Sequence, residues 1–263
     1  MIKHRCVRDS LAASAVVAVE SGLQRTMKTY LKHLAAVVVP SKFFLAKFVE
    51  WGWPRDRFVY IPNYVDATSF RMATEVGRYF LYFGRLAPEK GVDTLIRAAA
   101  QSGVSLRIAG TGPDEHELKA LAAQLGGDVQ FLGFRSGDDL RTLVREARAV
   151  VLPSQWYENA PMSVLESFAQ GVPVIGARIG GIPEMVEHGN TGWLFTSGSV
   201  DELAGLLQEV RHLSNTIVSE IGSSARRRVE LDFNRAGYLD AMLALYGRLG
   251  VDREATTDGM VTA

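Results

Sequence analysis

The feature that most constrains the fold is a regular alternation of short apolar segments and amphipathic segments that starts at Tyr79. The apolar segments predict strands at residues 79–83, 105–109, 129–132, 149–152 and 173–175. The segments between them predict helices at residues 92–101, 113–125, 138–147 and 161–170. Because strands that alternate with helices form βαβ units, we predict an α/β fold with a parallel, doubly wound, Rossmann-like sheet. The strands are almost wholly apolar, as expected when helices cover both faces.

The chain on either side of this alternation predicts further elements. After it come a sixth strand at 192–195, closing helices at 200–211, 215–231 and 234–249, and a polar tail that we expect to be frayed. Before it come a strand at 34–39, a helix that contains the apolar residues Phe44, Leu45, Phe48 and Val49, and a strand at 57–61. Residues 66–78 show neither helical nor alternating periodicity, which predicts a domain boundary there.

An apolar run from Leu11 to Val19 follows several basic residues and is similar to the hydrophobic part of a secretory signal peptide. Asp9 and Glu20 interrupt that pattern, and Ser10 has the position of a helix cap. We therefore predict a buried helix here rather than an exported protein. The run is shorter than the roughly 20 apolar residues that cross a bilayer.

Composition excludes several classes of protein. Apolar residues make up 47% of the 263 residues and charged residues 22%, which is typical of a globular chain. Twenty-nine basic residues balance 29 acidic ones, so we expect no nucleic-acid partner. Cys6 is the single cysteine, which excludes a disulfide framework and favours the cytoplasm. The histidines lack ligand spacing, so no metal site is predicted; they are His4, His33, His116, His188 and His212.

Ligands of an open parallel sheet bind beyond the carboxyl ends of the strands, so the segments that follow the strands are the most informative. The loop after the first strand begins with Gly84 and places Arg85 and Lys90 just ahead of a helix. These two cations suit a diphosphate, because arginine can bind two oxygens and lysine adds a compact charge. The alternative is a solvated turn in which Glu89 and Lys90 pair. It is not a P-loop, because Glu89 stands where glycine is required.

Glycines mark two further loops. Gly110 and Gly112 follow the second strand and predict a close approach of the backbone to a ligand, with a plain tight turn as the alternative. Glu115 stands where a dinucleotide-binding fingerprint requires its third glycine, which disfavours a nicotinamide enzyme. Gly180 and Gly181 follow the fifth strand, where either tight packing or a phosphate would favour glycine.

The loop after the fourth strand, residues 153–163, carries the strongest set of polar groups. Pro161 suits the first turn of a helix, so the backbone amides of residues 162–164 should point toward the edge of the sheet. Glu158 lies in the loop and Glu166 about one turn inside the helix. Carboxylates accept hydrogen bonds from vicinal hydroxyls, so the two acids could hold a sugar and a ribose. The alternative is a solvated Glu158 and a Glu166 that the helix dipole favours in the first turn.

Taken together and in this order, these loops resemble the donor-binding half of the family 4 retaining glycosyltransferases, which have the GT-B fold. The matching segments are Gly84-Arg85-Leu86 with Glu89-Lys90-Gly91, Gly110-x-Gly112, Phe131-Leu132-Gly133-Phe134, Glu158 with Glu166, Gly171-x-Pro173-Val174-Ile175 and Gly180-Gly181-Ile182-Pro183-Glu184. Residues 37–41 and 61–66 resemble the last strand of the amino-terminal lobe and the hinge, with Tyr64 in place of the usual glycine.

The resemblance implies a role for each matching residue. Arg85 and Lys90 would neutralise the diphosphate of a nucleotide sugar as it leaves, and Glu158 would contact the donor sugar; these are the catalytic candidates. Glu166 would bind the ribose, the backbone near 131–134 would border the base, and the amides around 159–163 would hold sugar hydroxyls and phosphate. The donor-binding candidates are Gly84, Gly110, Gly112, Phe131, Leu132, Phe134, Asn159, Ala160, Pro161, Met162, Ser163 and Glu166. No cofactor and no metal are implied.

The resemblance also implies how the chain is divided. Residues 1–72 would be the closing remnant of the amino-terminal acceptor lobe with the hinge, residues 73–231 a complete donor lobe, residues 232–250 a C-terminal helix and residues 251–263 a disordered tail. Most of the acceptor lobe, with its glycine-rich loop and its histidine, would be missing. We therefore expect an amino-terminally truncated chain that exposes apolar surface on the remnant and associates with itself.

The function that the resemblance implies is transfer of a sugar from a nucleotide-diphosphate sugar to a saccharide or lipid-linked acceptor, with retention of configuration. The alternative is a nucleotide-sugar binding module, or a half-enzyme that needs a separate acceptor lobe. An epimerase is less favoured, because Glu158 and Glu166 occur together with Arg85 and Lys90. We expect a cytoplasmic location, with peripheral contact to the inner face of the membrane as a minor expectation. The basic run at residues 226–228 is interpreted as a solvated helix face.

Overall fold

A computed structural model describes residues 10–250 of the chain, without the side chains of residues 25, 30 and 31. Cys6, His4 and the predicted disordered tail at 251–263 lie outside these residues. The strands are β1 (Val37–Val39), β2 (Phe58–Tyr60), β3 (Tyr79–Phe83), β4 (Leu106–Ala109), β5 (Val129–Gly133), β6 (Ala147–Leu152), β7 (Val174–Ala177) and β8 (Gly192–Phe195). The helices are α1 (Leu11–Met27), α2 (Thr29–His33), α3 (Lys42–Glu50), α4 (Val92–Ser102), α5 (Glu115–Leu125), α6 (Gly137–Arg145), α7 (Met162–Ala169), α8 (Ile182–Met185), α9 (Val200–His212), α10 (Asn215–Asp232) and α11 (Arg235–Arg248).

Six of these strands form a parallel sheet in the order β5-β4-β3-β6-β7-β8. Counted from β3, the spatial order is 3-2-1-4-5-6, which is the order of the Rossmann fold. The predicted parallel, doubly wound sheet is therefore confirmed. The direction of winding reverses between β3 and β6, so the loops that follow these two strands border the crevice where such sheets bind ligands.

Apolar residues on the two faces of the sheet form two separate layers of core. Phe80 and Tyr82 of β3 belong to one layer, together with apolar side chains of α4, α5 and α9. Tyr79 and Leu81 belong to the other layer, with side chains of α6, α7 and α10. Because successive side chains of a strand point to opposite faces, an all-apolar strand serves both layers. All six residues of β6 are buried, as expected for a central strand.

Two of the predicted helices begin later than expected. The helix predicted from residue 113 begins at Glu115, and the helix predicted from residue 161 begins at Met162. Pro161 has φ −65° and ψ 122°, so it is the extended residue before α7 and not part of its first turn. Proline lacks a backbone N–H and has a fixed φ, and both properties suit this position as well as the first turn.

Contacts along the chain divide it into two units, and the smaller one contains residues 10–38 and 54–59. Its main helix, α1, starts after Ser10, whose Oγ accepts a hydrogen bond from the N–H of Ala13 at 3.2 Å. The predicted cap is therefore confirmed, but the predicted burial of this helix is wrong. Leu11, Val16 and Val19 are 56%, 68% and 71% exposed. The larger unit contains residues 39–53 and 60–250, so α3 belongs with the sheet rather than with α1.

The interpretation of residues 226–228 as a solvated helix face is also wrong for two of its three arginines. Arg226 donates from Nε to Glu230 at 2.6 Å and from Nη1 to the backbone oxygens of Phe70 and Ala169. Arg228 donates from Nη2 to the backbone oxygen of Glu184 at 2.9 Å. These two guanidinium groups join α10 to the rest of the lobe. Within the described residues, no helix has the length and apolar character needed to span a membrane.

Candidate functional site

The loops after β3 and β6 meet backbone to backbone at the carboxyl edge of the sheet. The N–H of Gln155 donates to the backbone oxygen of Glu89 at 2.9 Å. Gly91 has φ +64°, and a Cβ at this position would lie 2.2 Å from the backbone oxygen of Pro153. A side chain at residue 91 would thus separate the loops, which explains the glycine at the end of the first loop.

An ion pair joins the two loops at this point. Lys90 Nζ lies 2.6 Å from Glu158 Oε1, and Ser154 Oγ donates to the same oxygen at 2.8 Å. The side chains of Lys90 and Glu158 are 30% and 19% exposed. Lys90 therefore pairs with Glu158 and not with its neighbour Glu89, and Glu158 is not a solvated loop residue. Both of the alternative interpretations drawn from the sequence are wrong at this pair.

Arg85 lies on the same loop and differs from Lys90 in having a free head group. Its guanidinium makes no hydrogen bond or ion pair with the residues that the structure describes, and the residue is exposed. Its backbone is fixed, because the hydroxyl of Tyr82 donates to the Arg85 backbone oxygen at 2.7 Å. Burial raises the pKa of Tyr82 far above its ordinary value, so the phenol stays protonated as a donor. Arg85 thus presents a positive charge on a fixed backbone.

The glycines of the loop after β4 serve contact between loops. A Cβ at Gly110 would lie 1.8 Å from the backbone oxygen of Gly84, and one at Gly112 would lie 2.0 Å from that of Leu86. The N–H of Leu86 also donates to the backbone oxygen of Thr111 at 2.9 Å. The close approach that the structure describes at these glycines is therefore to a neighbouring loop, and their role at a ligand stays a prediction.

Three consecutive residues of the loop after β6 are each held by a different segment. The backbone oxygen of Glu158 accepts from the N–H of Gly181 at 2.7 Å. Asn159 Oδ1 accepts from Ser41 Oγ at 2.6 Å, and the backbone oxygen of Ala160 accepts from Asn63 Nδ2 at 3.1 Å. These contacts fix the loop at Glu158 and at the two residues that follow it.

Glu184 anchors α3 beside this loop. Its two carboxylate oxygens accept from the backbone N–H groups of Lys42 and Phe43 at 2.8 and 2.5 Å. Ser41 caps the same helix by accepting from the N–H of Phe44 at 3.2 Å. A carboxylate at a helix N-terminus is stabilised by free amides and by the helix dipole. The sequence motifs place Ser41 and Asn63 in the strand and hinge segments and Glu184 in a matching segment, but they do not predict these contacts. Ser41, between Pro40 and an amphipathic segment, carried a local signal as a helix cap.

The helix after this loop supplies part of the predicted amide cluster. Met162 and Ser163 are the first residues of α7, where backbone N–H groups have no acceptor within the helix. The N–H of Val164 is different, because it donates to the backbone oxygen of Pro161 at 3.1 Å. Of the three amides predicted to point toward the edge of the sheet, the third is therefore already used.

Glu166 is the fifth residue of α7 and is half-buried. Burial raises the pKa of its carboxyl above the ordinary value, and the positive charge of Arg141 opposes this increase in part. As the fifth residue of α7, Glu166 lies beyond the first turn, where the helix dipole would favour an acid. That alternative interpretation of Glu166 is wrong.

The remaining donor-binding candidates lie on β5 and just after it. Phe131 and Leu132 are half-buried, whereas Phe134 is 70% exposed. The N–H of Gly110 donates to the backbone oxygen of Gly133 at 2.8 Å, which joins the end of β5 to the loop after β4. These residues are at the same edge as Lys90 and Glu158, but β4 separates β5 from β3. Within residues 10–250 there is no group of three or more His, Cys, Asp or Glu residues that could hold a metal ion.

Known proteins share this lobe. The amylovoran biosynthesis glycosyltransferase AmsK of Erwinia amylovora is 27% identical over 211 residues, which are 74% of this chain and 52% of AmsK. The D-inositol 3-phosphate glycosyltransferase of Mycobacterium tuberculosis (strain ATCC 25177 / H37Ra) is 34% identical over 180 residues, which are 65% of this chain and 37% of that enzyme. The chain thus spans about half the length of the first relative and less of the second.

Solved structures agree in fold. Anabaena Alr3699/HepE, crystallised in complex with UDP and glucose, superposes with a TM-score of 0.77 at 24% identity, over 88% of this chain and 67% of HepE. This match confirms the GT-B type of fold that the sequence resemblance implied. Residues 71–228 match the family described as glycosyl transferases group 1, and they contain both loops of the ion pair. Because this match covers more than half of the sequence, the chain belongs to the group 1 glycosyltransferase family.

Proposed function

We propose that this chain binds a nucleotide-diphosphate sugar at the crevice between β3 and β6 and takes part in transfer of the sugar, with retention of configuration, to a saccharide or lipid-linked acceptor. The observation that carries the proposal is the Lys90–Glu158 pair at the point where the sheet reverses its winding. Membership of the family and the UDP and glucose bound to the structural neighbour HepE support it.

The basic residues of the site would act on the diphosphate. Arg85 has all of its guanidinium donors available, and Lys90, on the same loop, is held by a single carboxylate. As the bond between sugar and phosphate breaks, negative charge develops on the leaving diphosphate. Fixed positive charges stabilise that charge without reorganising, so both residues would lower the barrier. Gly84, Gly110 and Gly112 would support this region by letting the loops pack closely.

The acidic residues would act on hydroxyl groups. Glu158 has Oε1 engaged by Lys90 and Ser154, which leaves Oε2 to accept a hydrogen bond from the donor sugar. Glu166 would accept from the ribose, since its carboxyl has an acceptor oxygen in either protonation state. The segment from Asn159 through Ala160 and Pro161 to the amides of Met162 and Ser163 would hold sugar and phosphate oxygens. Phe131, Leu132 and Phe134 would border the base. The chemistry we propose needs no metal ion or other cofactor.

Calorimetric titration with UDP tests the donor site. We expect saturable binding that Lys90→Ala abolishes or weakens at least tenfold, because a charge-assisted contact to phosphate is lost. Arg227→Ala is the control, since Arg227 is an exposed cation that donates to Ser224 of its own helix α10 at 2.9 Å. Equal UDP affinity of the two variants would refute the proposed site.

Transfer itself needs a separate test. Incubation with UDP-glucose and candidate saccharide and lipid-linked acceptors, followed by NMR of the product, should show the anomeric configuration of the donor. A product with the opposite configuration would refute the retaining mechanism.

A second candidate is a nucleotide-sugar binding module without transfer activity of its own. Two observations suggest it. Residues 71–228 carry the donor loops, and the chain matches only 52% of AmsK. UDP binding that depends on Lys90, together with failure to consume any donor, would favour the module. We also propose that the chain associates with itself through the exposed face of α1. Size-exclusion chromatography that shows a monomer would refute this. A cytoplasmic location and peripheral contact with the membrane are further proposals.

A further inference from the structure

We propose that Ser154 is a positioning residue that holds the Glu158 carboxylate in place for the donor sugar when Lys90 turns to the diphosphate. This inference rests on the proposed function of the site, because it assigns a task to a residue that touches Glu158 and not the donor. The sequence assigns no role to Ser154, although Glu158 of the same loop is a candidate for contact with the sugar.

The hydroxyl of Ser154 is built into the lobe. Ser154 is 3% exposed, and its Oγ donates to Glu158 Oε1 at 2.8 Å. Its backbone oxygen accepts from Ser197 Oγ at 2.8 Å, so the loop after β8 fixes the backbone from which this hydroxyl projects. A buried short side chain on a fixed backbone has few rotamers, so its hydrogen bond defines where the carboxylate can lie.

The need for such a residue follows from the double use of Lys90. In the described structure Lys90 and Ser154 share one oxygen of Glu158. A diphosphate carries more negative charge than a carboxylate, so a bound donor draws the ammonium of Lys90 toward its phosphate oxygens. Ser154 then remains as the donor to Oε1. Because a hydroxyl is neutral, the charge of the phosphate does not draw it away from the carboxylate as it draws the ammonium of Lys90.

This arrangement predicts which ligand is sensitive to Ser154. UDP has a diphosphate but no sugar, so its affinity reports Arg85 and Lys90. UDP-glucose adds the hydroxyls that Glu158 would bind. Loss of the Ser154 hydroxyl should therefore weaken UDP-glucose and leave UDP almost unchanged, whereas general damage to the loop would weaken both ligands together.

Calorimetric titration of the full chain with UDP and with UDP-glucose tests the inference. We expect Ser154→Ala to weaken UDP-glucose about fivefold, from loss of one hydrogen bond to a charged group, and to change UDP less than twofold. Ser154→Thr keeps the hydroxyl and should restore most of the loss. Ser102→Ala is the matched control, because Ser102 is also buried but donates to backbone oxygens of its own helix α4; it should change neither affinity.

A double-mutant cycle separates positioning from direct contact. In a Glu158→Ala background, Ser154→Ala should cause no further loss of UDP-glucose affinity, since the group that it positions is gone. Equal loss of both ligands in Ser154→Ala, or no loss of either, would overturn the role of Ser154 while leaving the donor site intact. Failure of the unmutated chain to bind both UDP and UDP-glucose would overturn the proposed function and this inference with it.

Discussion

The two ends of β6 use charged side chains in opposite ways. Arg148, near the amino end, is 6% exposed and donates to the backbone oxygens of Val210 and Leu213 and to Asn215 Oδ1, at 2.7, 2.5 and 3.1 Å. Beyond the carboxyl end, the Lys90–Glu158 pair is partly exposed, and the guanidinium of Arg85, on the same loop as Lys90, has no partner in the described part of the chain.

The difference shows when a basic residue is available for a ligand. Burial lowers the pKa of Arg148, but an arginine remains charged in a protein, so its desolvation must be offset by hydrogen bonds. Three fixed acceptors supply them and join β6 to the segment between α9 and α10. At the carboxyl edge, by contrast, solvent shares in the stabilisation and the cations keep donors to spare. Charge at the amino end stabilises the fold, whereas charge at the carboxyl end keeps the donors that we propose for an anion.

The largest effect is expected at the amino end. Arg148→Ala should lower the free energy of unfolding by about 3 kcal/mol, because buried backbone oxygens lose their donors. Urea denaturation measures this loss. Arg227→Ala is the control, since Arg227 is exposed and donates to Ser224 of its own helix; it should cost less than about 0.5 kcal/mol. Similar values for both variants would show that the ends of β6 do not differ in this way.

At the carboxyl end of β6, the free energy of unfolding should depend on backbone packing rather than on charge. Gly91→Ala should reduce stability by about 2 kcal/mol more than Gly103→Ala. Both glycines are left-handed, with φ +64° and +63°, so both variants carry the same backbone strain. A Cβ at 91 would meet the Pro153 backbone oxygen at 2.2 Å, whereas at 103 the nearest atom is 3.9 Å away. Thermal or urea unfolding curves that coincide would mean that the two loops separate without cost.

A third prediction concerns the free guanidinium. Arg85→Ala should weaken UDP about tenfold in calorimetric titration, because a charge-assisted contact to phosphate is lost. Its urea midpoint should match that of the unmutated chain, since the side chain makes no contact that holds the described fold. A fall in stability without a change in UDP affinity would place Arg85 in the same class as Arg148.

The smallest effect should appear in the pH dependence of stability. The folded chain holds the proton of Glu166 at higher pH than the unfolded chain does, since its pKa is raised by burial. As pH rises from the ordinary pKa of glutamate to the raised one, the folded state binds more protons than the unfolded state, so this residue makes stability fall. Glu166→Gln should remove that fall. Denaturation from pH 4 to 8 should therefore show the variant gaining on the unmutated chain with rising pH; a constant difference would contradict the burial of this carboxyl.

The strands of the parallel sheet could be predicted to within two residues at each end because they are almost wholly apolar, whereas the strand predicted at 34–39 is only β1 (Val37–Val39). The predicted bounds of β3 and β8 match the structure, and β6 is longer at its amino end by residues 147 and 148. Arg148 explains that difference. A charged residue beside an apolar run predicts the end of a strand, but Arg148 lies inside β6 because buried acceptors satisfy its charge. The helix α1 shows the opposite error: its spacing predicted a buried apolar face, but periodicity alone does not show whether another surface covers that face.

Position after parallel strands selected Arg85, Lys90 and Glu158 as candidate residues at one edge of the sheet. It did not predict their contacts. The sequence could not predict that Lys90 pairs with Glu158 instead of its neighbour Glu89, because Lys90 and Glu158 are 68 residues apart. Ser41 and Asn159 are 118 residues apart, and neither residue type indicates the other. Gly110 and Gly112 predicted a close approach to a ligand, whereas the approach that the structure describes is to a neighbouring loop.

The order of apolar and polar residues by itself determined the parallel sheet, its helical layers and the edge at which polar groups collect, because these depend on period and burial that act within short segments. Tertiary structure alone decided which cations keep free donors and which are used up in holding the lobe together. The physical reason is that a charge is satisfied by whatever acceptors the fold brings to it, and those acceptors come from segments that are distant along the chain.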